Sequence, residues 1–301
     1  MPAAPRNAVP RKKATVAARG VKASRNGQAR SSLFVGSVEK AFQVLEAFRD
    51  THRVMAMADI ARAAQLDRSA TQRLVHTMEL LGYVRRLPRS TLYSIAPKVL
   101  TLSYNYLRSR ELIERASPYL LDISRTLGET CNLQELDGHE IVFLARFPGK
   151  HLVNVDFAVG YRLPAVFTAS GRAMLSRLDP ATRREIMRST PMNPVTPYTE
   201  TDTTLLLSRI DEAAEQGYSI VMNQTLVGDI SVAAAITNHH GYPVAAINIA
   251  VPTTRWTAEK AKEQLVPHVQ LAATSISQSR MPGFAPEFVC KGVPPRRGSS
   301  R

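Results

Sequence analysis

DRSATQRLVHTMELLGYV, residues 67–84, is the stretch that decides the fold of the N-terminal region. Its apolar positions recur at helical spacing and predict the inner face of a helix: Ala70, Leu74, Met78 and Leu81. Either Asp67 or Ser69 can cap the first turn, because a side-chain oxygen there accepts from free backbone N–H groups. Gly82 stands where helices usually end. The outward face is polar and comprises Arg68, Ser69, Gln72, Arg73 and His76.

Two shorter helices and a hairpin are predicted around this stretch. Residues 37–48 carry apolar side chains at helical spacing, and residues 59–64 read DIARAA, whose small side chains allow close packing. Residues 83–95 contain two β-prone runs that flank a turn, which is typical of a hairpin. The hairpin carries Arg85, Arg86 and Arg89. Three helices followed by a basic hairpin predict a winged helix-turn-helix.

The polar face of residues 68–81 has the chemistry needed to read DNA. In a helix-turn-helix the second helix of the pair enters the major groove. There arginine can bond guanine in a bidentate manner and glutamine can bond adenine, which suits Arg68, Gln72 and Arg73, with His76 on the same face. Ser69 and Thr71 are better placed for phosphate or methyl contacts. The hairpin arginines would reach phosphates or the minor groove.

The distribution of charge agrees with binding to a polyanion. The chain has 301 residues and a net charge of +14. Residues 1–32 hold eight basic and no acidic residues, whereas residues 98–281 hold eighteen of each. A basic end on a neutral body suits a nucleic-acid-binding module joined to another domain, although basic tails can also simply aid solubility. Residues 1–32 and 282–301 lack apolar periodicity and are predicted to be disordered.

The body of the chain reads as a separate domain of mixed secondary structure. From Pro97 a helix is predicted that is apolar around much of its circumference, so it needs more than one packing surface and is expected to contact a second subunit. A further helix is expected over Pro118–Leu127. Strands and helices then alternate over residues 129–280, including a strand at Leu152–Phe157. The hairpins among them favour an antiparallel α+β sensor domain.

Several classes of protein are excluded by what the sequence lacks. No stretch approaches the roughly 18 apolar residues of a membrane span, and the N-terminus has no apolar signal region. The two cysteines, Cys131 and Cys290, are far apart and belong to no metal-binding or disulfide pattern. We therefore expect a cytoplasmic protein without a metal or cofactor and without membrane association.

Six segments in this order resemble the family of IclR-type transcriptional regulators. They are Ser37–Leu45 (SVEKAFQVL), Asp67–Val75 (DRSATQRLV), Leu81–Val84 (LGYV), Tyr93–Leu100 (YSIAPKVL), Gly160–Pro164 (GYRLP) and Thr168–Leu175 (TASGRAML). The resemblance covers about residues 33–280. PKVL and RLP are more similar to the branch that controls aromatic-acid catabolism through the β-ketoadipate pathway. That branch usually has Gly-Leu-Arg-Ser where this chain has Gly228-Asp229-Ile230-Ser231, which argues for a divergent ligand.

The resemblance implies an architecture and partners. The expected fold is α+β, with a winged helix-turn-helix, a linker helix and a GAF-like (profilin-like) effector-binding domain built on an antiparallel sheet. The expected segments are 1–32 as a basic arm, 33–96 as the DNA-binding domain, 97–116 as the linker and dimerisation helix, 117–281 as the effector domain, and 282–301 as a tail. The implied partners are double-stranded DNA with a palindromic operator, a small carboxylate or aromatic acid, and a second copy, as a homodimer or a dimer of dimers.

The family's effector pocket lies beside the helix that begins near Thr168. Free N–H groups at a helix start favour a carboxylate, so Thr168, Ala169 and Ser170 are candidate donors and Arg162 is a candidate counter-charge. The remaining candidates lie on strands that line the site in this family: Cys131, Asn223, Ala235, Asn248 and Ala250.

Each polar candidate also has a plainer role open to it. Thr168 or Ser170 can cap a helix, and Arg162 can pair with a surface acid. Asn248 is an amide within an apolar strand, and a buried amide needs hydrogen-bond partners. A ligand can supply those partners, but so can a neighbouring strand.

Two other functions compete with a ligand-responsive regulator. An enzyme acting on a small organic acid would need a catalytic motif, and the sequence holds no nucleophile elbow, zinc-protease motif or dinucleotide glycine pattern. An architectural DNA-binding protein would need no ligand, and its second domain would be filled by its own side chains.

Overall fold

The computed structural model describes residues 31, 33–49, 52–150 and 157–278. The chain divides into two compact units after Thr101. Nearly all of the expected basic arm (1–32), the strand expected at 152–157 apart from Phe157, and the expected tail (282–301) lie outside the described residues. In the part of the chain that is described, no helix is both long and apolar enough to cross a membrane.

The first unit is a winged helix-turn-helix. Its elements, in chain order, are α1 (Gly36–Glu46), β1 (Met55–Ala56), α2 (Met57–Ala63), α3 (Arg68–Leu80), β2 (Val84–Arg86) and β3 (Leu92–Ile95). The strands form an antiparallel sheet in the order β1-β3-β2. Val44, Ile60, Val75 and Val84 are almost wholly buried and join the helices to the hairpin. This confirms the expected three helices and basic hairpin.

The inner face of α3 differs from the prediction at its end. Leu81 is 50% exposed, whereas Val75 is 1% exposed and occupies the core. The helix stops at Leu80, and Leu81 forms its C-cap, so it no longer shares the buried side. Leu74 and Met78 pack against the core as expected.

The second unit begins within α4 (Val99–Arg108), the helix that crosses the division. Its helices are α5 (Glu111–Leu127), α6 (Ala169–Leu175), α7 (Pro180–Ser189), α8 (Thr203–Gln216) and α9 (Ala258–Gln278). Its strands are β4 (Thr130–Asp137), β5 (Glu140–Phe147), β6 (Arg162–Pro164), β7 (Ser219–Met222), β8 (Asp229–Thr237) and β9 (Pro243–Pro252). A 3-10 turn, Ala165–Phe167, precedes α6.

The strands of the second unit form one antiparallel sheet in the order β6-β5-β4-β9-β8-β7. α5 and α9 cover one face with apolar side chains. The 3-10 turn, α6, α7 and α8 cover part of the other face with a second apolar cluster. Burial on both faces explains the apolar runs in β8 and β9 and confirms the α+β class with an antiparallel sheet.

One helix begins earlier than expected. A helix was predicted from Pro118, yet α5 begins at Glu111 and holds Pro118 in its interior. Leu112, Ala116 and Leu120 are buried at helical spacing, so the apolar stripe continues across the proline. The packing of that stripe outweighs the hydrogen bond that proline cannot donate.

Candidate functional site

Helix α3 is held in place by its own first turn. The Ala70 N–H donates to Asp67 Oδ1 at 2.8 Å, and the Thr71 hydroxyl donates to the Asp67 carbonyl oxygen at 2.8 Å. Asp67, rather than Ser69, is therefore the cap. The Ala70 N–H, assisted by that of Ser69, lowers the pKa of Asp67 below its usual value, because both favour the ionised carboxylate.

The polar face of α3 is open to solvent. The residues on it are exposed, as the sequence predicted: Arg68, Ser69, Gln72, Arg73 and His76. Thr71, which was predicted to contact phosphate or methyl groups, is wholly buried and must be removed from that set. Its hydroxyl is committed to the Asp67 carbonyl.

The hairpin presents a second basic surface. Arg85, Arg86 and Arg89 are all exposed. The Arg86 Nε–H donates to the Ser90 carbonyl at 2.7 Å, and the Arg85 Nε–H donates to Ser94 Oγ at 3.2 Å. Each bond directs a guanidinium while leaving other N–H donors available for phosphate oxygens.

The second unit contains a pocket beside the start of α6, against the sheet face formed by β4, β8 and β9. It encloses about 840 Å³ of space, including its open mouth. Five of the residues predicted for an effector site line it: Thr168, Ala169, Ser170, Asn248 and Ala250. We call this cavity the sheet pocket.

The other four predicted residues lie outside the sheet pocket. Cys131 is wholly buried in the cluster beneath α5 and α9, because strand alternation turns it to the opposite face of the sheet, and that burial raises the pKa of its thiol. Arg162 forms ion pairs with Asp137 at 2.7 Å and Glu140 at 2.8 Å. Asn223 Oδ1 accepts from the Gly228 N–H at 2.7 Å and so shapes a turn. Ala235 packs against the apolar clusters near α6.

A chain of hydrogen bonds crosses four strands on the floor of the sheet pocket. Asn132 Nδ2 donates to Asn248 Oδ1 at 2.9 Å, and Asn248 Nδ2 donates to Ser231 Oγ at 2.7 Å. Arg146 Nη1 donates to Asn132 Oδ1 at 3.3 Å. The neighbouring strands therefore supply the hydrogen-bond partners that the buried amide of Asn248 needs, which is one of the two alternatives that the sequence left open. The sequence prediction missed Asn132, Ser231 and Arg146, because only the register of the strands shows that they meet.

Charged groups of both signs border the sheet pocket. Burial raises the pKa of Asp229 to about 7, although the nearby Arg146 opposes the shift. Desolvation likewise lowers the pKa of Arg146, with Asp229 acting in the opposite direction. Glu129 accepts from Arg255 Nη2 at 3.0 Å and from Trp256 Nε1 at 2.8 Å. Arg146 and Asp229 are therefore the two charged groups at the pocket whose pKa values are shifted.

The hydroxyl groups at the start of α6 are already engaged. Thr168 Oγ1 accepts from the Gly171 N–H at 2.9 Å and donates to the Ala165 carbonyl at 3.0 Å. Ser170 Oγ donates to Gln134 Oε1. What remains for an occupant is the backbone N–H of Ala169 and of Ser170, which lie too near the helix start to have a partner within the helix. Within the described ranges, no three His, Cys, Asp or Glu side chains gather so as to hold a metal ion.

Both the N-terminal and the C-terminal part of the chain match models of known protein families. Residues 37–93 match the family model described as the IclR helix-turn-helix domain, and residues 104–278 match the bacterial transcriptional regulator IclR C-terminal domain. The Pca regulon regulatory protein of Pseudomonas putida is 34% identical over 242 residues, covering 80% of this chain and 82% of that protein.

Solved structures show the same fold. A regulator from Rhodococcus sp. RHA1 superposes with a TM-score of 0.70 at 31% identity, covering 81% of this chain and 98% of that one. An IclR homologue from Microbacterium hydrocarbonoxydans, complexed with 4-hydroxybenzoate, superposes with a TM-score of 0.67 at 25% identity, covering 80% of this chain and 97% of that one.

Proposed function

The chain belongs to the IclR family of bacterial transcriptional regulators, and on that premise we propose that it binds an operator through α3 and the hairpin, under the control of a small organic acid held in the sheet pocket. The family binds DNA through its helix-turn-helix and a small molecule through its C-terminal domain. Because the relatives are named as regulators, the enzyme alternative is set aside.

The observation that carries the effector proposal is the composition of the sheet pocket. Arg146 supplies a cation for a carboxylate, and the amide chain of Asn132 and Asn248 supplies polar groups that fix orientation. Phe143 and Phe157, whose ring centroids are 5.5 Å apart, form an aromatic wall. A concave pocket that combines apolar walls with convergent polar groups is typical of a small-molecule site.

Asp229 narrows the class of acid. When ionised it repels a second carboxylate, and in either protonation state it can bond with a hydroxyl group. We therefore favour a hydroxylated monocarboxylate over a dicarboxylate. Support for an aromatic example comes from the Microbacterium homologue, which was solved with 4-hydroxybenzoate. Asp229 lines the pocket in the segment Gly228-Asp229-Ile230-Ser231, where the β-ketoadipate branch usually has Gly-Leu-Arg-Ser.

A thermal-shift screen tests the proposal directly. The full chain is heated with a panel of aromatic and aliphatic monocarboxylates and dicarboxylates, with and without hydroxyl groups. A true effector at about 100 times its Kd adds about 2.7 kcal/mol to the free energy of unfolding. We expect hydroxylated monocarboxylates to give the largest shifts and to change operator binding in a mobility-shift assay.

Two variants separate the sheet pocket from other sites. Arg255 at the sheet pocket is paired with Glu129, so Arg146→Gln removes the cation proposed for the carboxylate and should abolish the shift caused by the best acid. Arg125→Gln removes an exposed arginine of α5 that lies outside the pocket and should leave the shift intact. If no acid of the panel stabilises the wild-type chain, the ligand-independent architectural function is favoured instead.

A further inference from the structure

A second cavity in the same unit lies between α6, α8 and β7. It encloses about 750 Å³, again including its mouth, and we call it the arginine cavity. Its polar lining comprises Arg172, Arg209, Glu212, Gln216, Ser219 and Gln224. Of the residues around it, Val221 also lines the sheet pocket, so the two cavities are neighbours with different polar groups.

Arg172 is a buried cation with one guanidinium nitrogen that its own chain leaves without a hydrogen bond. The residue is only 5% exposed, and its Nε–H donates to the Val166 carbonyl at 2.7 Å. Its Nη2 is buried without a hydrogen-bond partner, and no carboxylate within the described part of the chain forms an ion pair with it. A buried guanidinium is costly unless it is paired and bonded, so this one is prepared for an anion.

The charges around Arg172 do not neutralise it by contact. Glu212, on α8, bonds to Arg209 at 2.9 Å instead, and Glu200 Oε1 accepts from the Asp202 N–H at 2.7 Å. Desolvation lowers the pKa of Arg172 to about 10, and the positive charge of Arg209 adds to that effect. An anion in the cavity would oppose both influences, because an opposite charge favours the protonated guanidinium.

We propose that the arginine cavity is a second ligand site, which binds a small oxyanion, either a carboxylate or a phosphate group, on the guanidinium of Arg172, with Arg209 as a further donor. The planar donors of arginine match the oxygens of such groups in a bidentate manner. Gln216 also lines the cavity and can offer its side-chain amide, whereas the amide of Gln224 is engaged with Glu200 and Tyr198. This site is separate from the sheet pocket and does not depend on the effector proposed there.

Calorimetric titration of the full chain tests the site. Inorganic phosphate and succinate are titrated separately at constant ionic strength, with chloride as the balancing salt, so that the two arms distinguish phosphate from carboxylate. We expect one saturable site for at least one anion, above the weak binding that a chain with a charge of +14 gives to any anion. Absence of a saturable site in both arms overturns the proposal.

Substitutions assign the binding to the arginine cavity. Arg209→Gln should weaken binding about tenfold, as expected for the loss of one charged hydrogen bond. Arg188→Gln, at an exposed position of α7 outside the cavity, should leave it unchanged, and so should Arg146→Gln in the sheet pocket. Equal binding by wild type and Arg209→Gln, or a loss caused by Arg146→Gln alone, contradicts the proposal.

Arg172→Met separates a ligand-binding cation from a purely structural one. Without added anion the variant should melt close to the wild type, because the lost bond to the Val166 carbonyl is offset by removal of an unpaired buried charge. Its stabilisation by the anion should vanish. A variant that melts lower yet still binds the anion as the wild type does shows that Arg172 serves only to bond Val166. If the variant does not fold, the comparison of Arg209→Gln with Arg188→Gln decides the question.

Discussion

At the scale of single residues, Thr71 and Arg73 show how closely a candidate DNA-reading side chain and a structural one can lie. Both are polar and stand two positions apart on α3. Thr71 is wholly buried, and its hydroxyl closes the first turn, whereas Arg73 is exposed on the opposite side. Residue type alone could not separate them; Thr71 lies one helical turn from the buried Val75 and so falls on the core side of the helix.

Arg73→Ala should reduce specific binding to the operator far more than binding to scrambled DNA. A good base contact provides about 1–3 kcal/mol of discrimination, and an exposed arginine on the polar face of α3 can supply one. Mobility shifts with the two DNAs measure the difference. Arg89→Ala, in the hairpin, is the matched control and should instead reduce the salt slope of binding by about 1. An equal loss on both DNAs for Arg73→Ala rejects base reading by this residue.

Asp229 should make the binding of an acid effector depend on pH. The pKa of its carboxyl is about 7 in the folded protein and about 4 in an unfolded chain, so the folded state holds an extra proton between those values. The contribution of this group to stability therefore falls as pH rises across that window. Above about pH 7 the ionised Asp229 repels the carboxylate of the effector. The affinity of the sheet pocket for the acid should therefore drop severalfold between pH 6 and 8.

Asp229→Asn should abolish most of that change in affinity, measured by calorimetry at both pH values. The other charged groups at the sheet pocket, Arg146, Glu129 and Arg255, remain in the variant. Glu135 also titrates near 7, mainly because of burial, but it lies outside the sheet pocket and should act on stability rather than on affinity. A variant that keeps the full dependence on pH rules out Asp229 as its source.

At the scale of elements, helices and hairpins were predicted most accurately where a single apolar stripe or a single turn determines the structure. The three helices and the hairpin of the first unit carry such signals. α7 was not predicted, because Met187 is its only buried residue and no apolar stripe marks it. The floor of the sheet pocket was also missed apart from Asn248. Asn132 and Ser231 meet it only through strand register, which no local pattern contains.

Helix α6 depends on a glycine for its position. A Cβ atom at Gly171 would lie 2.0 Å from the Ala165 carbonyl oxygen, which belongs to the backbone of the 3-10 turn and cannot give way cheaply. Gly171→Ala should therefore lower the free energy of unfolding by about 1–3 kcal/mol, as overpacking of a buried site does. Denaturant unfolding measures the change. Gly36→Ala, where a Cβ would meet open space, should be close to neutral.

At the scale of the whole molecule, α4 is the surface that points to a second copy. It has no buried residue, and four of its large apolar side chains are exposed: Leu100, Leu102, Tyr104 and Tyr106. Such a helix needs a partner, and a palindromic operator with half-sites about one helical turn apart needs two copies of α3. We therefore expect a dimer, or a dimer of dimers, in solution.

Substituting both Leu100 and Tyr104 by serine should weaken that dimer. The two side chains are one helical turn apart, and each large apolar group buried at an interface contributes roughly 1.5–3 kcal/mol, or about tenfold or more in Kd. Analytical ultracentrifugation over a range of concentrations measures the change. Leu271→Ser, at an exposed leucine of α9, is the control and should leave the mass unchanged. A wild-type chain that sediments as a monomer contradicts the expectation.

Helix α6 is only seven residues long, and every one of them is buried. Ser170 meets the sheet pocket and Arg172 meets the arginine cavity, so occupants of the two cavities would act on a single short rigid body. Thermodynamic reciprocity then constrains the molecule. Whatever factor an occupant of one cavity imposes on affinity at the other, the second occupant must impose the same factor in return.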